Sequence, residues 1–258
     1  MELSVHPDAR HAERKLALSI ARGIRGAAER GERFTLGLAT GRTPLGVYRE
    51  LARMHREEGL SFAGVTTFNL DEFDGLAPDD PSSFRRFMTE RLFELVDLDP
   101  AAVHLLPSDA ADPAAACAEF EAAIRAAGGI DLQVLGIGLN GHVGFNEPGS
   151  LASSRTRRVA LHPVTRRSYG DSLGRVAPTH ALTMGIATIR EARALRILAL
   201  GSAKADIVAE LLDGPPREEV PATLLRDHPD LRLIVDEPAA AKARAAGKLN
   251  GKEDRWNL

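Results

Sequence analysis

The thirteen residues Gly138-Leu139-Asn140-Gly141-His142-Val143-Gly144-Phe145-Asn146-Glu147-Pro148-Gly149-Ser150 set four glycines around a histidine and a glutamate spaced five apart. Glycines in that number cost chain entropy on folding unless the backbone needs angles that other residues avoid. A functional loop accounts for the cost. Histidine is the side chain that exchanges its proton near neutrality, so His142 suits the movement of a proton on or off a substrate oxygen. Glu147 or Asn140 would accept from its second ring nitrogen and set the tautomer. A second reactive group is Asp71, which opens Asp71-Glu72-Phe73-Asp74-Gly75, three carboxylates within four residues. Leu70 and Phe73 flank it, and desolvation together with like charges raises a carboxyl group toward the range of a general base. A solvated acidic turn is the alternative for this run.

Two further stretches suit an anion. Thr40-Gly41-Arg42-Thr43-Pro44 follows an apolar run, with Thr43 as a helix cap and Pro44 at the first helical position, so that free N–H groups face outward at the positive end of the helix dipole. Gly201-Ser202-Ala203-Lys204 repeats the arrangement and puts a lysine where it opposes the dipole, which a bound phosphate would explain. An ordinary strand-to-helix turn and an exposed lysine are the plainer readings. Neither stretch has the Gly-Lys-Ser/Thr ending of a nucleotide loop or the spacing of a dinucleotide fold.

These residues need positioning, and the chain supplies short apolar runs alternating with amphipathic stretches. Phe34–Ala39, Val65–Leu70, Leu132–Ile137, Leu195–Leu200 and Leu231–Val235 are expected strands; Pro44–Glu58, Ser83–Leu95, Pro113–Ala127 and Lys204–Leu212 are expected helices. The alternation predicts an α/β fold, a largely parallel sheet flanked by helices in a single domain spanning 1–258, with 239–258 a terminal helix that frays. In such sheets ligands bind beyond the carboxyl ends of the strands, where all four stretches fall.

The rest of the sequence narrows the chemistry. His142, Glu147 and Asp71 lack a second histidine at metal-binding spacing, so no metal is expected, and no G-x-S-x-G elbow points to a nucleophilic serine. The one cysteine, Cys117, lies in an Ala-rich helix and is expected to pack there; a disulfide framework is excluded. Thirty-six acidic and 33 basic residues are spread along the chain to a net charge of −3, which leaves no footprint for nucleic acid or an anionic membrane. No leader and no apolar run of about 20 residues is evident, so a cytoplasmic location is expected.

Taken together, Leu36–Pro44, Phe68–Phe73, Leu135–Gly149, Ala181–Gly185 and Leu200–Lys204 resemble the motifs of glucosamine-6-phosphate deaminases, a family that shares its fold with 6-phosphogluconolactonases and ribose-5-phosphate isomerases. The Phe-Asn-Glu-Pro element at 145–148 is similar to the deaminases rather than to the lactonases. The resemblance implies conversion of glucosamine 6-phosphate and water to fructose 6-phosphate and ammonia, in amino-sugar catabolism and without an organic cofactor. It implies that His142 assists opening of the pyranose, supported by Glu147 and Asn140, and that Asp71 moves a proton between C2 and C1 through an enolamine. Thr40, Gly41, Arg42, Thr43 and Lys204 would hold the 6-phosphate of this small-molecule phosphosugar. Homo-oligomerisation stays open.

Departures from the family pattern bear on the substrate. Asn140 stands where many members carry Asp, and Arg42 replaces a glycine of the cradle. The arginine that clamps the phosphate has no evident counterpart in the shorter segment 165–180, where Arg166, Arg167 or Arg175 would replace it, or Arg42 outside that segment. Galactosamine 6-phosphate deamination, another phosphosugar isomerisation and a 6-phosphogluconolactonase are therefore the alternatives. In hexameric members an activator phosphate binds just after the Glu-Pro element; Arg157 fits that pattern but Val159 replaces a lysine, which implies weak or absent activation by N-acetylglucosamine 6-phosphate.

Overall fold

A computed structural model describes residues 1–77, 80–163, 165–167 and 178–249. Strands β1 (Glu2–His6), β2 (Phe34–Leu38), β3 (Val65–Asn69), β5 (Val103–His104), β6 (Leu132–Gly136), β9 (Leu195–Ala199) and β10 (Leu231–Asp236) form a seven-stranded sheet in the order β1-β10-β9-β6-β2-β3-β5, every pair parallel. Every residue of β2, β3 and β9 is buried, as expected of parallel strands covered on both faces. One face is covered by α1 (Ala9–Glu29), α2 (Leu45–Glu58) and α3 (Phe84–Arg91), whose Leu16, Ile20, Leu51, Met54 and Met88 share a core with Leu36 and Leu38. The other face is covered by α4 (Pro113–Ala126), α5 (Ile186–Arg190), α6 (Ala205–Asp213) and α7 (Glu237–Ala245) around Leu135, Ile197 and Leu233. Cys117 is buried in α4, in the packing role its Ala-rich setting suggests.

Local chemistry explains where the helices begin. Asp112 accepts from the amides of Ala114 and Ala115 at 3.0 Å, and Pro113 takes the first helical position of α4. Asp8 caps α1 in the same way through His11. The expected helix Ser83–Leu95 stops at Arg91, because Leu92 turns its buried side chain inward with φ −145 and the chain resumes only as a 3₁₀ turn over Phe93–Leu95. The segment from Ala239, expected to be a terminal helix that frays, begins as a packed helix in the described residues. Asp236 caps α7 through the amide of Ala239, and Ala239, Ala240 and Ala243 are fully buried; residues 250–258 of that segment lie outside the described residues.

A second sheet was not anticipated. It is antiparallel, in the order β4-β8-β7, from β4 (Asp71–Asp74), β7 (Arg157–Ala160) and β8 (His180–Thr183). Leu70 is the pivot between the sheets: its N–H donates to Leu38 O at 2.8 Å in the large sheet, and its carbonyl accepts from Met184 N at 2.8 Å beside the small one. Phe73, Phe84 and Phe145 form the aromatic cluster beneath β4, with ring centroids 4.7 to 6.1 Å apart. The run Asp71–Asp74 is thus a strand despite its three carboxylates, because that cluster decides its packing.

Glu121 of α4 ties the small sheet to the large one. Its buried carboxylate accepts from Thr156 N at 2.9 Å, from the hydroxyls of Thr156 and Thr188, and from the Arg155 guanidinium. Burial by itself would raise this carboxyl, but the hydrogen bonds more than offset it and hold the group below the usual carboxylate range. A depressed folded-state value contributes stability above the unfolded pKa and loses it as pH falls through the folded one. Glu121→Gln is therefore expected to lower unfolding stability by about 1–3 kcal/mol near pH 7. Urea titrations at pH 7 and pH 3 check this, and the difference from the parent should shrink at the lower pH.

Candidate active site

Chain order reverses direction at the middle of the large sheet. From β2 the chain proceeds outward to β3 and β5, then returns to β6 on the other side of β2 and continues to β9 and β10. Loops leaving the carboxyl ends of β2 and β6 therefore diverge and leave a crevice at this switch point. The segments that follow β2, β3, β6 and β9 carry the sequence-expected residues.

After β2, Gly41 adopts φ +96, which only glycine takes readily, and Arg42 is exposed. Helix α2 begins at Leu45 with Pro44 in the N-cap position, accepting from Tyr48 N at 3.0 Å, and no side chain caps it. The expected Thr43 cap is thus absent, and Pro44 lies one position earlier than expected. A carboxylate missed in the sequence, Glu13 of α1, instead accepts from Gly46 N. Its carboxyl is raised by burial, and a Cβ on Gly46 would fall 1.9 Å from it.

At the β3–β4 junction Asp71 is 6% exposed and takes a long 3.4 Å hydrogen bond from the Thr40 hydroxyl. Burial first, and then the charge of Glu72, push its carboxyl up to about 8, while the Thr40 bond pulls the other way. Glu72 points elsewhere: it accepts from the amides of Phe73, Phe84 and Arg85 at 2.8–2.9 Å and so holds the start of α3. Only the first carboxylate of the run is left for other work.

After β6 the glycines earn their places individually. Gly138 donates to His142 O at 2.8 Å, and a Cβ there would strike the His142 ring at 2.3 Å, so the ring lies directly on the backbone of residue 138. Gly141, at φ +83, leaves room for Val220, and its carbonyl accepts from Ala222 N. His142 Nδ1 faces Glu147 Oε2 at 3.4 Å, which leaves Nε2 for a ligand. Asn140 does not accept from the ring, contrary to one of the two expected arrangements. It donates from Nδ2 to Glu147 at 2.8 Å and accepts from the His142 amide at 3.3 Å. The hydroxyl of Thr165 donates to the other oxygen of Glu147. Burial would raise the Glu147 carboxyl, but its contacts with His142, Thr165 and Asn140 outweigh that and bring it down to about 2. Phe145 N donates to Thr183 Oγ1 at 3.1 Å, and Thr183 is the strand partner of Asp71, so β8 links the two reactive segments.

After β9, Gly201 at φ +83 leads into a 3₁₀ turn over Ser202–Lys204, with α6 starting one residue beyond the expected helix start. Lys204 is not a free surface lysine. Its Nζ donates to Ile137 O at 2.7 Å, at the mouth of the loop after β6, and burial holds its ammonium below the usual range. Buried Asp236 receives the Gly201 amide at 2.9 and 3.0 Å and anchors this turn from β10. Thr165, Asp236 and Glu13 were missed because each meets its partner across 18 to 35 residues of chain; Thr183 lies in the Ala181–Gly185 motif, but its partner Phe145 is 38 residues away. Of the candidate phosphate arginines, Arg42 and Arg167 are exposed, and Arg175 lies outside the described residues. Arg166, beside Thr165, is half-buried with its Nε unpartnered among the described residues. Among the described residues no group of three or more His, Cys, Asp or Glu side chains is placed to hold a metal ion, and no helix is long and apolar enough to cross a membrane.

Comparison with known proteins places the chain. The family described as glucosamine-6-phosphate isomerases/6-phosphogluconolactonase matches residues 7–234. The chain belongs to that family. It is 49% identical over 209 residues to a glucosamine-6-phosphate deaminase of Bacillus velezensis, covering 80% of this chain and 86% of that one. To glucosamine-6-phosphate deaminase 2 of Giardia intestinalis it is 46% identical over 230 residues, with 88% and 87% covered. A solved structure of a monomeric glucosamine-6-phosphate deaminase superposes with a TM-score of 0.90 at 38% identity, over 94% of this chain and all of that one. A 6-phosphogluconolactonase of Thermotoga maritima superposes at 0.73 with 23% identity, over 91% of this chain and 99% of that one, a likeness of fold alone.

Proposed function

We propose that this family member deaminates and isomerises glucosamine 6-phosphate to fructose 6-phosphate and ammonia. The observation that carries the reading is Asp71, a buried carboxyl raised to about 8 at a strand end, linked through Thr183 to the loop that holds a histidine–glutamate pair. His142, oriented by Glu147, accepts the O1 proton through Nε2 and returns a proton to O5 as the C1–O5 bond breaks, giving the open-chain aldehyde. Asp71 removes the C2 proton while the C2 ammonium gives up a proton and O1 gains one, forming the enolamine; Asp71 then returns its proton to C1 and the nitrogen lone pair closes the iminium at C2. Water adds to that carbon and ammonia leaves. Deaminases named for this reaction are 46–49% identical over most of the chain, which supports the substrate as well as the reaction class.

The 6-phosphate falls to the cradle Thr40–Thr43 and to Lys204. Arg166 completes the clamp: it is the one candidate arginine that combines partial burial with an unpartnered nitrogen among the described residues. A charge-assisted bond is worth about 1.5–3 kcal/mol, so Lys204→Met is expected to raise KM for glucosamine 6-phosphate by roughly 10- to 100-fold. The phosphate contact is made alike in the ground state and the transition state, so kcat should change much less. Steady-state kinetics separate the two.

The decisive experiment is ammonia release over a panel of hexosamine 6-phosphates. Glucosamine 6-phosphate should give ammonia and fructose 6-phosphate in equal amounts, and the reading fails if it gives neither. Exposed Arg42 and uncharged Asn140 favour testing galactosamine 6-phosphate beside it, and the ratio of kcat/KM values assigns the sugar.

A further inference from the structure

A cleft of about 930 Å³ lies between α4 and β7 and presents Arg155, Arg157 and Arg158. Two of the three are neutralised: Arg155 pairs with Glu121 and Glu191, and Arg158 pairs with Asp74 at 2.6 Å. Arg157 makes no ion pair among the described residues. Its half-buried guanidinium turns instead toward the loop after β6. There Nη1 donates to Asn146 Oδ1 at 2.8 Å and Nη2 to Ser150 Oγ at 3.2 Å, with a longer contact from Nη1 to Arg155 O.

Those two partners stand on either side of Glu147. Asn146 is completely buried, and its amide nitrogen already donates to Val143 O at 2.9 Å and Met184 O at 2.7 Å, so its oxygen depends on Arg157. Burying a guanidinium without a carboxylate is costly, whereas an apolar residue would fill the same volume without that cost. Fork geometry is what an apolar residue cannot supply: two donors held in one plane, reaching two points of a loop at once.

We infer that Arg157 is a positioning residue for Glu147, clamping Asn146 and Ser150 so that the carboxylate between them stays aimed at His142. The resemblance to hexameric deaminases gave this arginine to an activator phosphate, but here its donors are spent inside its own subunit. The inference rests on the proposed role of Glu147 and His142 in ring opening. Binding of the open sugar and of its phosphate is served by other residues, so Arg157 governs the rate and not the grip.

The test compares the parent with Arg157→Met, Arg157→Ala, Ser150→Ala and Glu147→Gln. Misplacing a reacting group by about an ångström costs on the order of 100-fold, so Arg157→Met is expected to lower kcat with glucosamine 6-phosphate by roughly 10- to 100-fold. KM should stay within about twofold. Calorimetric affinity for 2-amino-2-deoxyglucitol 6-phosphate, an open-chain probe that needs no ring opening, should be unchanged. Added guanidinium ion should restore part of the lost rate to Arg157→Ala, and Ser150→Ala, which removes one arm of the clamp, should lose a smaller share. A folded Arg157→Met with parental kcat overturns the inference, as does a loss of probe affinity that matches the loss of kcat. If Arg157→Met is folded poorly, an unchanged kcat in Ser150→Ala overturns it. Glu147→Gln separates the two levels: a parental rate there removes the role of Glu147 itself, whereas an impaired Glu147→Gln beside a parental Arg157→Met removes only the clamp.

Discussion

Asp71→Asn abolishes ammonia release and exchange of the C2 hydrogen with solvent deuterium, and at the same time makes the protein more stable. Both outcomes follow from burial. A base must be ionised to act, so kcat/KM of the parent should rise with pH through about 8, the value to which burial and Glu72 push Asp71. The asparagine cannot accept the proton at any pH. Positioned proton transfer is worth about 10²- to 10⁴-fold, and here one group serves both C2 and C1, which puts the loss at the upper end. Retained exchange would reassign the base, and the hydrogen bonds that occupy Glu72 make that neighbour a poor substitute. For stability, a carboxyl raised in the folded state contributes fully below its unfolded value of 3.8 and loses that contribution as pH rises through about 8. Asparagine carries no such penalty. Thermal unfolding should show the variant gaining on the parent between pH 4 and pH 8, by an amount on the order of a few kcal/mol at the upper end. A variant that is inactive and also less stable across this range would contradict the account of Asp71 as a strained, buried base.

His142→Gln should lower kcat by roughly 10²- to 10⁴-fold, because ring opening then depends on solvent for both proton movements. Glutamine preserves a polar contact with Glu147 but cannot carry a proton between two oxygens. The loss should therefore appear in kcat, while affinity for the open-chain aminohexitol phosphate remains near that of the parent. Stopped-flow kinetics with a freshly dissolved single anomer of the substrate reads the step directly. Equal rates for His142→Gln and parent would show that ring opening occurs in solution before binding.

Much of this was legible in the chain itself. β2, β3, β6, β9 and β10 are buried on both faces, so apolar continuity alone marks them, and the loops after four of them can be read off at once. β1 was missed because Leu3-Ser4-Val5 is short and carries a serine and flanking charges; its pairing with β10, at the far end of the chain, gives it its shape. The small sheet was missed for a related reason. Charges dominate Asp71–Asp74, whereas the aromatic cluster and the partner strand from His180 decide the outcome. Within the loops, the spacing of Asn140, His142 and Glu147 showed which residues belong together but not who donates to whom. Asn140 proved to brace the carboxylate rather than the imidazole. Thr165 and Asp236 act over long chain separations, where no periodicity or local motif carries information.

The pivot at Leu70 divides the residues named above between two bodies. The turn Thr40–Thr43 and Lys204 ride on the seven-stranded sheet, whereas Asp71 opens β4, and Thr183 ties the loop bearing Glu147 to the same three-stranded sheet. Under the proposed function the two sheets form the jaws of a calliper. One jaw grips C6 through its phosphate and the other works on C1 and C2, so their separation measures the length of the carbon chain. A pentose phosphate, one carbon short, could satisfy either jaw but not both. Length discrimination then resides in the angle between sheets, and no single side chain needs to enforce it.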